Sequence, residues 1–259
     1  MQGADIEDQG IDRDFVASLE KGLLVIEAFD ASRPRLTLSD VSKLTGITRA
    51  AARRYLLTLT RLNYANFDGR YFSLSPRILR LGYAYLSSAS LSTRVQPFLE
   101  QISEATGESS SAAILDGDDI VYIARSATRR IMSIGLGVGS RLPAYCTSLG
   151  RAILAYQPEA AIDAYLGRVR LEARTPKTLT DKAAFRAVLE ATRSQGYALV
   201  NEELEFGLRS IAVPVVQKNG QVTIALNLSA QAGRVSADEM RERFLPSLSA
   251  ASETLRYML

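Results

Sequence analysis

The sequence predicts a mixed α/β, two-domain (α+β) chain: an N-terminal winged helix-turn-helix followed by a PAS/GAF-like domain with an antiparallel sheet and flanking helices. Three observations carry this. Leu36 to Leu74 reads, in order, as a short capped helix, a glycine turn, an arginine-bearing helix and a glycine-tipped hairpin. From Leu91 onward the pattern changes to helices mixed with alternating strand-like runs. With 259 residues, the chain is long enough to bury two cores.

Met1 to Asp14 is polar and acidic, with Asp5, Glu7, Asp8, Asp12 and Asp14, and reads as a disordered tail. It offers neither a basic nor an apolar segment of the kind a secretory signal needs. Residues 15–75 then form the winged unit. Leu19, Leu23, Ile26 and Ala28 recur at helical spacing until Arg33-Pro34. Thr37, with Asp40 three residues on, opens the second helix as a capping-box variant, and Val41 and Leu44 are expected in the core. Gly46 supplies a turn that favours positive φ. The third helix runs from about Thr48 to about Leu62, with Ala52, Leu56 and Leu59 as its buried stripe. Tyr64–Phe67 and Tyr71–Leu74 flank Asp68-Gly69, a hairpin signal in which both central positions can need φ > 0. Ser75-Pro76 opens a further helix, apolar on more than one side through Ile78, Leu79, Leu81, Tyr83, Tyr85 and Leu86. Residues 76–90 therefore read as a linker or dimerisation helix.

Residues 91–259 form the second domain. Thr93 to Thr106 reads as a helix closed by Gly107, followed by strands at Ser110–Leu115, Ile120–Ala124 and Ile131–Leu136. Helices are expected at Pro158–Leu166 and Asp181–Gln195, and strands at Tyr197–Val200, Arg209–Gln217 and Gln221–Leu228, with Asn219-Gly220 turning the last hairpin. Ala237 to Met258 reads as a closing amphipathic helix. The expected sheet carries its helices on one face.

Composition excludes several functions. The chain has no histidine, which removes Ser-His-Asp and Cys-His catalysis and the usual histidine-containing zinc sites. Its single cysteine, Cys146, excludes an intrachain disulfide framework and fits a reducing cytoplasm. No window approaches the ~18 apolar residues of a membrane span. No cofactor or metal motif stands out. From Phe15 to Ser90 there are 11 Lys and Arg against 5 Asp and Glu; from Leu91 to the end there are 19 against 18. The basic excess thus coincides with the winged motif, as a phosphate-binding surface requires.

Within that motif Arg49, Arg53 and Arg54 are the candidate base or phosphate readers, because a guanidinium can chelate guanine or grip phosphate. Small Ala50 and Ala51 allow close approach to the groove, although they also simply favour helix. Arg70 at the wing tip, and Thr37, Ser39 and Thr48 near helix N-termini, are candidate phosphate contacts. Plain capping explains the three hydroxyls equally well.

The whole chain from about Phe15 resembles regulators of the IclR family. Three stretches carry the resemblance: the winged motif with Ser18-Leu-Glu-Lys-Gly-Leu23, Pro143-Ala-Tyr-Cys-Thr-Ser-Leu-Gly-Arg-Ala152, and Asn201-Glu-Glu-Leu-Glu-Phe-Gly-Leu-Arg-Ser-Ile-Ala212. Thr48-Arg-Ala-Ala-Ala-Arg-Arg-Tyr-Leu-Leu-Thr-Leu59 is further similar to the PcaR/PcaU/PobR subgroup, which controls the β-ketoadipate route of aromatic acid breakdown. The resemblance implies a cytoplasmic transcription factor rather than an enzyme. It also implies a double-stranded DNA operator, a homodimer or homotetramer, and a small organic acid bound beside the sheet of an effector domain. A short aliphatic acid such as pyruvate or glyoxylate is the alternative effector. An enzyme or small-molecule carrier with a protein-contacting helix-turn-helix is the alternative function.

Family positions bordering the effector cavity match Ala144, Tyr145, Cys146, Thr147 and Ser148, where a helix is expected to start just after Pro143 and offer free N–H groups to a carboxylate. Ser210, and Asn227 with Ser229 two residues apart on one strand face, match further pocket positions. Leu136, Leu142 and Tyr145 are the expected apolar wall. Arg129, Arg130 and Arg141 flank the third strand as candidate acid partners, though most arginines lie on surfaces. Cys146 reads as a small buried wall residue, with a redox thiol as the lesser alternative.

Overall fold

The structure, a computed structural model, describes residues 15–30, 32–82, 90–127 and 136–258. The expected tail 1–14, most of the expected strand Ile131–Leu136, Arg129, Arg130 and the end of the expected linker helix lie outside the described residues. The chain divides into two compact units, residues 1–84 and 85–259.

In the first unit α1 (Ala17–Glu27), α2 (Leu38–Thr45) and α3 (Arg49–Arg61) pack around Val25, Leu36, Val41, Ala52, Leu56 and Phe72. The capping box forms as the sequence dictates. Thr37 Oγ1 accepts from the Asp40 N–H at 3.3 Å, and the Asp40 carboxylate accepts from the Thr37 N–H at 2.9 Å. Gly46 closes α2 at φ 72°, the left-handed conformation that glycine adopts without a side-chain clash. Leu44, expected in the core, is instead exposed. The hairpin of β1 (Ala65–Phe67) and β2 (Phe72–Leu74) pairs Phe67 with Phe72, so its loop is the four residues 68–71 rather than a two-residue turn. Only Gly69 takes positive φ there. Asp68 supplies the rest of the turn: its Oδ1 accepts from the N–H groups of Arg70 and Tyr71 at 3.0 and 2.7 Å. Leu36 pairs with Phe72 from the other side, fixing the wing to the start of α2. After the wing the chain enters a 3-10 turn, Pro76–Ile78, and is helical over residues 79–82.

In the second unit six antiparallel strands lie in the order β5 (Arg141–Pro143), β4 (Asp119–Ser126), β3 (Ser109–Asp116), β8 (Val222–Gln231), β7 (Leu208–Val216), β6 (Ala198–Asn201). Among the described residues, helices cover both faces, correcting the expectation of one. The strands explain why: both of their faces are apolar. Ile123, Ile211, Val213, Leu226 and Leu228 pack with α4 (Ser90–Thr106) and the C-terminal helix. Ala113, Ala212 and Ala225 face the other way, small enough for α5 (Ser148–Leu154) to lie close, with α6 (Glu159–Arg168) and α7 (Lys182–Gln195) in the same core. The closing helix is not uniform. It starts as α8 (Ala237–Glu239), widens to a π turn at Met240–Phe244 and resumes as α9 (Leu245–Met258). Pro246 accounts for this: it has no N–H, and its ring would clash with the carbonyl four residues back in an α-turn. Among the described residues no helix is long and apolar enough to cross a membrane.

One close approach fixes the α5 region. A Cβ on Gly150 would stand 2.2 Å from the Ala144 carbonyl oxygen and 2.4 Å from its Cα, both backbone atoms that cannot rotate away. Gly150→Ala should therefore destabilise this unit by about 3 kcal/mol, near the upper end of overpacking costs. A wild-type unfolding midpoint in thermal or urea denaturation would show that the turn yields instead.

Candidate functional site

The two units carry two candidate sites. In the first, α3 starts at Thr48, whose hydroxyl oxygen accepts from the Ala51 N–H at 3.3 Å. Arg49, Arg53 and Arg54 are exposed on its outer side, and their guanidinium groups have no hydrogen-bond or ion-pair partner among the described residues. Ala50 between them is exposed and Ala51 half-buried. Ser39 is exposed in the first turn of α2. The Thr37 hydroxyl is committed, donating to Asp40 at 2.7 Å, and these hydrogen bonds hold the Asp40 carboxyl below its ordinary pKa. Arg70 is exposed at the wing tip, its guanidinium 5.2 Å from the Tyr71 ring centroid. Sequence reasoning missed Arg35, which lies 4.9 Å from the same ring and pairs with Asp68. Only the hairpin brings these together, so no local pattern marked it.

The second site is a cavity between the sheet and the start of α5. Cys146, Thr147, Ser148, Ser210, Asn227 and Ser229 line it as expected from the sequence, together with Tyr122, Leu149, Val200, Leu204 and Leu208, which the sequence did not single out. The register explains the convergence. Ser210 pairs with Ser229 and Ala212 with Asn227, so all three polar side chains share one sheet face. The expected helix start needs correction. Ala144–Cys146 is a 3-10 turn, Thr147 is extended as the N-cap, and α5 begins at Ser148. Thr147 Oγ1 accepts from the Gly150 N–H at 3.1 Å, which leaves the Ser148 and Leu149 N–H groups in the first turn.

Ala144 and Tyr145 do not line the cavity; both are buried in the core beside it, and the Tyr145 hydroxyl donates to the Glu172 carbonyl at 2.8 Å. Leu136 and Leu142, the expected wall, pack against that same core. Arg141 is committed elsewhere, in surface ion pairs with Asp116 and Asp119.

Two atoms give the cavity its chemistry. Ser148 Oγ and Asn227 Oδ1 are buried without a hydrogen-bond partner among the described residues. Asn227 Nδ2 donates to Ser229 Oγ at 3.2 Å. A buried polar atom left unpaired costs ~1–3 kcal/mol, so these atoms are poised for a polar guest. The space open to a water molecule is about 20 Å³. That admits about one water; ligand pockets for drug-sized molecules run to about 300 Å³ or more, so an aromatic acid requires the walls to part. One wall is clamped. Arg151 donates from Nη1 and Nη2 to the two Glu203 carboxylate oxygens at 2.8 and 2.6 Å, and from Nε to the Tyr145 carbonyl at 2.8 Å.

Comparison with known proteins matches both parts of the chain. Residues 18–69 match the IclR helix-turn-helix domain and residues 83–257 match the bacterial transcriptional regulator IclR C-terminal domain. The chain is 51% identical to the Pca regulon regulatory protein of Pseudomonas putida, over 96% of this chain and 86% of that protein. It is similar to the crystal structure of a transcriptional regulator of Rhodococcus sp. RHA1 (44% identity, TM-score 0.83, 94% of this chain and 98% of that one). The Acinetobacter PobR inducer-binding domain, solved as a double mutant with 3-hydroxybenzoic acid, matches with 32% identity and TM-score 0.62 over 65% of this chain and 99% of that one.

The buried Cys146 gives a prediction for pH. Burial raises its thiol from the ordinary 9.0 to about 11. The folded state therefore holds this proton more tightly than the unfolded one. Stability should fall as pH rises from about 9 to about 11, and Cys146→Ser should flatten that slope. Native alkylation by iodoacetamide at pH 8 should be far slower than in denaturant; equal rates would place the thiol at the surface.

Proposed function

The chain belongs to the IclR family of bacterial transcriptional regulators, and from that premise we propose that it regulates aromatic acid breakdown, with its grip on DNA gated by a small carboxylate. The observation that carries this is the pair of buried, unpartnered atoms, Ser148 Oγ and Asn227 Oδ1, in a cavity walled by Tyr122 and three leucines. The similarity to the Pca regulon regulatory protein and to a PobR domain holding a hydroxybenzoic acid supports the aromatic class. A short aliphatic acid such as pyruvate is the second reading, favoured by the small space.

The carboxylate meets the Ser148 and Leu149 N–H groups, and Ser210, Asn227 and Ser229 supply side-chain hydrogen bonds. A helix N-terminus favours an anion by ~0.3–1 kcal/mol when exposed and up to ~2 when partly buried. Micromolar affinity needs about 8 kcal/mol, so ring packing against Tyr122, Leu149, Val200, Leu204 and Leu208 supplies most of it. The effector shifts DNA affinity only by its differential affinity for two arrangements of the protein, and DNA shifts effector affinity reciprocally.

On the DNA side, α3 enters the major groove with Arg49, Arg53 and Arg54, backed by Ser39, Thr48 and Arg70 on phosphates. Thr37, its hydroxyl held by Asp40, acts by setting the start of α2. The protein works as a dimer. Phe15 and Val16 just before α1 and Leu19 and Leu23 on it are exposed, and Leu79 and Leu81 are exposed after the wing, an apolar surface too large to leave in water. Such a dimer presents two recognition helices to a repeated or palindromic site.

Arg53→Ala should weaken specific operator binding by ~1–3 kcal/mol if it reads a base. If it grips phosphate, the salt slope should fall by about one. Footprinting on the protein's own promoter region should show two half-sites about one helical turn apart. Unchanged affinity and salt slope in Arg49→Ala, Arg53→Ala and Arg54→Ala would remove the assignment.

For the effector, calorimetry with protocatechuate, 4-hydroxybenzoate, β-ketoadipate and pyruvate should find one acid bound per subunit. Ser210→Ala and Asn227→Ala should each weaken it by ~1 kcal/mol or more. Wild-type affinity in both variants would move the pocket elsewhere, and binding of none of the acids would end the gated reading.

A further inference from the structure

We propose that Arg125 supplies the positive charge that recognises the effector's carboxylate. The inference rests on the effector-binding reading above and adds a residue to it.

The argument begins with a bulge. Ser111 pairs with Arg125 and Ala112 with Ala124, but Ala113 pairs with Tyr122, so Ile123 is an extra residue in β4. In a regular strand, residues three apart point to opposite faces. The bulge cancels that alternation and sets Tyr122 and Arg125 on the same face. It is the face that carries the cavity, because Ser111 pairs with Arg125 on one side and with Asn227 on the other. Arg125, Ser111 and Asn227 thus form one row across three strands. The guanidinium carbon of Arg125 lies 5.9 Å from the centroid of the Tyr122 ring, and Tyr122 lines the cavity.

Arg125 is partly buried, and its Nε is shielded from solvent with no hydrogen-bond partner among the described residues. The other inward arginines of this unit are tied down: Arg151 by Glu203, and Arg209 by Asn201 and the carbonyls of Ala232 and Val235. A shielded guanidinium N–H without an acceptor is costly, and this one has been left unpaired beside a polar cavity. The cavity lining holds hydroxyls and an amide but no lysine or arginine. A carboxylate leaving water for such a site needs an opposite charge, and a guanidinium fork matches its two oxygens. Tyr122 touches both the cavity and Arg125.

The test is calorimetry on the full-length protein, comparing wild type, Arg125→Gln and Arg125→Lys. The probes are protocatechuate, 4-hydroxybenzoate, β-ketoadipate and pyruvate, each set against its carboxamide, the diamide in the case of β-ketoadipate. Wild type should bind its acid at least tenfold more tightly than the amide. Arg125→Gln should lose that preference by weakening the acid alone, and Arg125→Lys should stay within a few-fold of wild type. For Arg125→Gln, either of two results overturns the proposal: binding the acid like wild type, or losing acid and amide equally, as a merely structural residue would. Acid binding that is abolished by Ser210→Ala but kept by Arg125→Gln would leave the cavity standing and remove Arg125 from it. If circular dichroism shows Arg125→Gln unfolded, equal wild-type affinity for acid and amide overturns the proposal, and a tenfold preference kept by Arg125→Lys supports it. If no acid binds wild type, the effector reading fails first and takes this one with it.

Discussion

Arg151 is almost fully buried, and a guanidinium in that position is tolerable only with every direction of its fork satisfied. The network around it joins three further stretches of chain. Tyr145 contributes a carbonyl from the turn before α5, Glu203 contributes both carboxylate oxygens from the loop before β7, and Glu203 in turn accepts from the Leu179 N–H at 3.0 Å. Removing one partner of such a pair costs ~3–5 kcal/mol, because the other is left charged in a low-dielectric interior. That constraint holds the turn, α5 and the loop in one arrangement, and the cavity is the space they enclose with the sheet. Leu204, Thr147 and Ser148 face one another because Arg151 and Glu203 do.

Against this rigid frame, the interior of the cavity is left imperfect. Ser148 Oγ and Asn227 Oδ1 are unpaired among the described residues, where Ser103, Ser110 and Ser252, equally buried, all have partners. The contrast separates two uses of buried polarity. Satisfied hydroxyls tie α4 and α9 to the sheet. Unsatisfied ones store a cost that a guest can remove, which is how a site gains affinity for hydrogen-bonding groups without enlarging its apolar area.

The first unit is built differently. Its helices are short, its core is small, and local devices do much of the work: a capping box at Thr37, a hydroxyl cap at Thr48, a left-handed Gly46 and an Asp68 turn. These fix the start of α3 and therefore the direction of the unpaired arginines. Because each device spans three or four residues, a single stretch of sequence displays it whole.

That difference decides what could be read in advance. The winged helix-turn-helix, most of the helix and strand order of the second unit (though not the edge strand β5) and the polar cavity residues Cys146, Thr147, Ser148, Ser210, Asn227 and Ser229 were legible, the structural elements from capping, spacing and turn signals and the cavity residues chiefly from a family resemblance. Leu44 was misplaced because amphipathic spacing in an eight-residue helix does not settle which edge faces inward. The start of α5 was misplaced because Pro143 suggests a helix immediately, while the close approach of Gly150 to Ala144 demands a turn first. Tyr122, Val200, Leu204 and Leu208 were not singled out because they meet only when three strands and a loop come together. Arg125 was hidden for a sharper reason. Period-two reasoning assigns it to the face opposite Tyr122, and one extra residue in β4 reverses that assignment. The sequence by itself determined the elements, their caps and the chemistry of the side chains. The tertiary structure alone decided which of those side chains share a face, because strand register and bulges are set by pairing between distant segments.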